Sequence, residues 1–143
     1  MTLRNILKTK PAGFISVAPD ASVTEVIALL AEKHIGAVLV TDEGRLVGIL
    51  SERDVVRCLA RHGAATLDMA AKALMTGDPN TASPDITVEQ AMAMMTDGRF
   101  RHLPIVENGK LTGLVSIGDV VKAMIEQSQY EVETLRTYVT GAV

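Results

Sequence analysis

The chain has 143 residues, 48% of them hydrophobic, a net charge of −3, no Trp and a single cysteine. This is the composition of a buried globular body, and one cysteine excludes an internal disulfide. The acidic balance argues against nucleic acid, whose affinity comes from neutralised phosphates; no apolar run approaches the ~20 residues needed to span a bilayer; and MTLRNILKTK lacks a signal peptide's apolar core, so the cytoplasm is the expected location.

In chain order, a short extended stretch at Phe14–Val17 leads into Pro19-Asp20 and Ser22, a helix-start signal. Val23, Val26, Ile27 and Leu30 follow at i, i+3, i+4 and i+7, the apolar stripe of an amphipathic helix. Two short apolar strands are predicted at Ala37–Thr41 and Leu46–Leu50, joined by a turn at Asp42-Glu43-Gly44. A second helix starts at Ser51 and carries Arg53, Arg57 and Arg61 on one stripe, with Cys58 expected to be buried among Val55, Val56 and Leu59. The stretch from Gly63 to Asp78 reads as a link with a short helix near Leu67–Lys72.

The pattern then recurs. Shifted by 65 residues, Pro19–Arg61 aligns without a gap on Pro84–Glu126, with Gly44/Gly109, Gly48/Gly113, Ser51/Ser116 and Asp54/Asp119 among the identities. The second copy predicts an extended stretch at Asn80–Ala82, a helix through Val88, Ala91, Met92 and Met95, and strands at Leu103–Val106 and Leu111–Val115. Its second helix starts at Ser116 and runs on into a tail, Glu126–Val139. Tyr130, Leu135, Tyr138 and Val139 mark that tail as a packing or dimerisation element. Two copies of one unit imply a closed pseudo-twofold pair, with any site in the cleft between them. The fold class is α+β: two pseudo-twofold-related β-α-β-β-α repeats, with small mixed sheets packed on helices. The expected divisions are 1–65, 66–128 and a helical tail at 129–143.

Each copy carries S-x-x-D at a helix start. Ionised Asp accepts two donors, as a ribose diol requires. The same spacing is a capping box, in which Ser and Asp satisfy the helix's own amides. Arg99, Arg101 and His102 fall within four residues, suited to a phosphate or simply a solvated basic edge. Arg53 sits beside Asp54 and is placed to reach a phosphate across the pseudo-twofold axis. Lys10 is either a further phosphate contact or a surface lysine. No nucleophile–base pair, paired-carboxylate site, metal-ligand spacing or phosphate-loop Lys-Ser/Thr stands out, so neither catalytic nor metal residues are assigned.

Gly48–Asp54 (GILSERD), Gly113–Asp119 (GLVSIGD), Ile35-Gly36-Ala37 and Arg101-His102-Leu103-Pro104 together resemble a pair of cystathionine-β-synthase (CBS) domains, the Bateman module, of the small stand-alone type. The resemblance spans nearly the whole chain. It implies a regulatory module that binds an adenine nucleotide, AMP, ATP or NAD(H)-like, between its repeats, and relays occupancy to an unidentified protein partner, as a homodimer and not as an enzyme. It implies one site from Thr81, Ala82, Arg101, His102, Leu103, Pro104, Ser116 and Asp119. A second would use Ser16, Val17, Gly36, Ala37, Val38, Ser51 and Asp54, with Arg53 beside it. The first copy has Leu39 where the second has Pro104, and no basic groups at Ile35–Ala37. The alternative is a purely structural dimerisation module with vestigial pockets.

Overall fold

The two repeats start their helices by the same chemistry. In the computed structural model, which describes residues 1–11 and 13–140, Ser22 caps α2 (Val23–Lys33) and Thr87 caps α5 (Val88–Gly98), each accepting the amide three residues on. Both helices end on a left-handed residue, His34 at φ 54° and Arg99 at φ 56°. Each then feeds a hairpin: β2 (Ala37–Asp42) with β3 (Arg45–Ser51), and β5 (His102–Glu107) with β6 (Lys110–Ser116). Both central turn residues have positive φ, Glu43-Gly44 and Asn108-Gly109, the two-residue turn that matches strand twist. A bulge falls at the same place in each hairpin, after Val40 and after Ile105.

β1 (Ser16–Val17) adds to β2 in parallel, and β4 (Thr76–Gly77) adds to β3 antiparallel, giving a four-stranded sheet in the order β1-β2-β3-β4. The second sheet has β5 and β6, and the stretch predicted at Asn80–Ala82 contracts to one parallel bridge, Ala82 with Ile105. The helices α3 (Glu52–His62) and α6 (Ile117–Thr140) leave the hairpins, α6 running unbroken through the predicted tail. The link differs from expectation. A 3₁₀ turn spans Gly63–Asp68 and a short helix, α4, spans Ala71–Leu74, because the Met69 carbonyl accepts the Val23 amide and so ends the first turn. Cys58 is half-buried rather than buried, its sulfur taking the hydroxyl of fully buried Thr66 at 3.5 Å.

The segments that precede the repeats are exchanged. The first helix, α1 (Leu3–Thr9), not anticipated from the sequence, inserts Leu3 and Ile6 into the core of the second repeat with Val88, Met95, Leu103 and Val115. The α4 segment inserts Ala71 into the core of the first repeat, with Val23, Val26, Val38 and Leu50. The two attachments match bond for bond. Leu3 N–H donates to Ile86 and Ala71 N–H to Ala21; Arg4 N–H donates to Pro84 and Lys72 N–H to Pro19. Arg4 also pairs with Asp85 at 2.9 Å and with Glu107, pinning α1 to the second repeat.

Candidate functional site

Both S-x-x-D motifs close as capping boxes. Asp54 Oδ2 accepts the Ser51 amide at 2.8 Å and Ser51 Oγ accepts the Asp54 amide at 3.3 Å; the corresponding Ser116 and Asp119 distances are 2.9 and 3.1 Å. The cap uses Oδ2 alone. Oδ1 of Asp54 has no hydrogen-bond partner among the described residues. A cap and an unbonded acceptor oxygen therefore coexist in one carboxylate.

Beside Asp54 lies a cavity of about 310 Å³ between the repeats. From the first repeat it is lined by Ile49, Ser51, Glu52, Arg53, Asp54 and Arg57; from the second side come Thr76, Asp78, Pro79, Asn80 and the run Gly98–His102. It joins the first S-x-x-D to the basic loop of the second repeat, whereas the sequence grouped each motif with its own repeat's strand. The reason is that the helix starts of one repeat face the strand entry of the other once the two sheets meet along β3 and β6. Ser51, Arg53, Asp54, Arg101 and His102 thus come together.

The other expected residues do not line this cavity. Ala37, Val38, Leu103 and Pro104 are buried in their strands. Ser16 and Val17 sit at the β1 edge, Ser16 exposed, and Thr81 and Ala82 at the edge of the second sheet. Gly36 lies against His102: a Cβ there would stand 3.3 Å from His102 Nε2 and 3.6 Å from Glu52 Oε1. Ser116 and Asp119 form a separate centre with Lys10, whose Nζ donates to Asp119 Oδ2 at 2.7 Å and to the Leu114 carbonyl at 2.9 Å. Lys10 is thus not a free surface lysine: its ammonium is held by Asp119 and the Leu114 carbonyl.

Electrostatics separate the two centres. Burial lowers the His102 imidazole below its usual value, with Lys10 and Arg101 adding to the shift and Glu52 and Asp119 opposing it. Burial raises the Asp119 carboxyl, but Lys10 and the Ser116 amide outweigh it and hold that carboxyl below the ordinary range. Around the cavity, Arg53, Arg57, Arg99 and Arg101 stand with no ion-pair partner within 4 Å among the described residues. Four unpaired guanidinium groups on one concave surface of an acidic chain are suited to an anion.

Sequence reasoning missed Asp78, Asn80 and Arg57 at this site. Arg57 was visible as i+4 from Arg53 but was assigned no ligand; Asp78 and Asn80 carried no motif. Among the described residues no His, Cys, Asp and Glu group is placed to hold a metal, and no helix is long and apolar enough to cross a membrane.

The family model described as the CBS domain matches twice, over residues 3–61 and 71–126. The chain belongs to the CBS-domain family. A CBS-domain protein from Agrobacterium tumefaciens has a solved structure that matches with a TM-score of 0.84 and 42% identity, covering 87% of this chain and 99% of that one. Two CBS structures at 24% identity share the fold: CBSX2 in complex with AMP, with a TM-score of 0.72 over 87% of this chain and 97% of that one, and the CBS domain pair of protein MJ0100 in complex with 5′-methylthioadenosine and S-adenosyl-L-methionine, with a TM-score of 0.76 over 87% and 99%. The first family match begins at residue 3 and so takes in α1.

Proposed function

We propose that this CBS pair is a ligand sensor that binds a phosphorylated adenosine compound in the cavity at Asp54, and that occupancy is relayed to a partner protein by a homodimer. The observation that carries the reading is the gathering, around one cavity, of a carboxylate with a free oxygen and four unpaired arginines, two beside it on α3 and two on the loop of the second repeat. Asp54 Oδ1 suits a ribose diol, and charge-assisted bonds of that kind are worth about 1.5–3 kcal/mol each. Arg53 and Arg57 on one wall and Arg99 and Arg101 on the other suit phosphate oxygens. The AMP complex of CBSX2 and the adenosine-type ligands of MJ0100 support the adenosine part of the assignment. The arginines favour AMP, ADP, ATP or NAD(H) over 5′-methylthioadenosine, which has no phosphate, and over S-adenosylmethionine, which carries a sulfonium cation. No reaction is assigned.

The dimer reading rests on exposed apolar side chains. Val56 and Leu59 on α3, and Val121, Ile125, Val132, Leu135 and Val139 on α6, are all exposed. Exposed apolar side chains gathered on the outer faces of two helices suit an interaction surface.

A thermal-shift panel tests the ligand class: AMP, ADP, ATP, NAD and NADH against S-adenosylmethionine and GTP. A ligand at 100 times its Kd stabilises by about 2.7 kcal/mol, which at this size is roughly 5–10 °C. The expected result is a shift of that order with the phosphorylated adenosine compounds and little with S-adenosylmethionine. A preference for S-adenosylmethionine would overturn the phosphate assignment. No shift with any compound, on protein shown by mass spectrometry to carry no co-purified ligand, would leave the structural dimerisation module.

A further inference from the structure

The two S-x-x-D helices start alike and are covered unlike. Because the arms attach identically, their residues can be matched one to one: Leu3 with Ala71, Arg4 with Lys72, and so Leu7 with Met75. The glycines verify the match. Leu7 is the side chain that packs on Gly113, and Met75 the one that packs on Gly48. Three residues further along each arm stand Lys10 and Asp78.

The arm that reaches the second motif therefore brings an ammonium, and the arm that reaches the first brings a carboxylate. Lys10 places three donors against Asp119 and uses two of them, on Asp119 Oδ2 and on the Leu114 carbonyl. A ribose approaching Asp119 offers the same kind of donor to the same carboxylate. Oδ1 of Asp119 has no hydrogen-bond partner among the described residues, as at Asp54, but here the diol would stand donor to donor beside an ammonium that Oδ2 already holds. Asp78 offers Asp54 no donor of this kind, and among the described residues no cation lies within ion-pair distance of Asp54. The cavity opens at Asp54, and its lining includes Ile49, the repeat counterpart of Leu114.

We propose that the chain binds one adenosine ligand, at Asp54, and that Lys10 occupies the second S-x-x-D motif in the place of a ligand. This rests on the sensor reading above. It makes the pair asymmetric by a single charge reversal at one arm position, Lys10 against Asp78.

Isothermal titration of the full chain with AMP, and separately with ATP, tests it. The expected result is one equivalent per chain, weakened at least tenfold by Asp54→Asn. That substitution keeps an acceptor for the Ser51 amide and so retains the cap; helix content by circular dichroism checks that it does. Lys10→Met is expected to add a second, weaker equivalent. Two equivalents in the unaltered chain would overturn the proposal, as would one equivalent whose affinity Asp54→Asn leaves unchanged. A tenfold loss of the single event in Lys10→Met would also overturn it, by showing that Lys10 holds the ligand. Absence of heat with both nucleotides, in protein free of co-purified ligand, would instead overturn the sensor reading on which it stands.

Discussion

Gly48 and Gly113 occupy the same place in their hairpins, each opposite the residue before the bulge, yet they are closed in by different atoms. A Cβ at Gly48 would stand 2.9 Å from Met75 Cγ and 3.0 Å from the Thr76 carbonyl oxygen, whereas one at Gly113 would meet the end of Leu7, Cδ2 at 2.8 Å. A leucine tip can rotate away; a backbone carbonyl held in β4 cannot. Gly48→Ala is therefore expected to lower stability by about 1–3 kcal/mol, the cost of overpacking, and Gly113→Ala by under about 1 kcal/mol. Denaturant midpoints of the two variants at one pH make the comparison, and equal losses would contradict it. The repeat showed that both glycines matter. Why they differ was not legible, since the atoms that crowd them lie on arms outside the aligned segment.

At the scale of the element, α6 is the clearest case of a helix longer than its repeat requires. Val120 and Ala123 anchor its first turns in the core, while Leu135 is 61% exposed and Val139 74% exposed. Val121, Ile125, Val132, Leu135 and Val139 fall at spacings of three, four or seven, which keep them on one side of a long helix and suit a helical partner. On the homodimer proposed above, Leu135→Glu is expected to shift the equilibrium toward monomer in analytical ultracentrifugation, with far-UV circular dichroism unchanged. A dimer indifferent to the substitution would place the interface elsewhere. The sequence predicted this helix from its continuing apolar residues. It missed α1, because a seven-residue helix with two buried side chains carries too short a pattern to separate from an exposed terminus.

At the scale of the whole molecule, the exchange of arms ties the two repeats into one body. Leu3 lies fully buried in the second repeat's core although it precedes the first in the chain. Leu3→Ala is expected to cost about 2–5 kcal/mol, as buried leucine truncations do. Its signature in hydrogen exchange is loss of protection in β5 and β6 ahead of β2 and β3. Protection lost first in the sheet nearest in sequence would argue against the exchange.

The sequence by itself determined the repeat, the order of elements within each copy, the turns and the caps. All of these depend on residues a few positions apart, whose chemistry acts locally whatever surrounds it: Ser51 with Asp54, Thr87 with Gln90, Asn108 with Gly109. Only the tertiary structure decided which repeat each arm covers, which basic loop faces which S-x-x-D, and that Lys10 meets Asp119 across 109 positions of chain. The aligned repeats stand 65 residues apart but the matched arms 68, so the extra three residues hid the Lys10–Asp78 correspondence from any single shift of the sequence. Contacts of that range come from the docking of whole surfaces. No local spacing records them, which is why the site's components were legible in the sequence and its pairing was not.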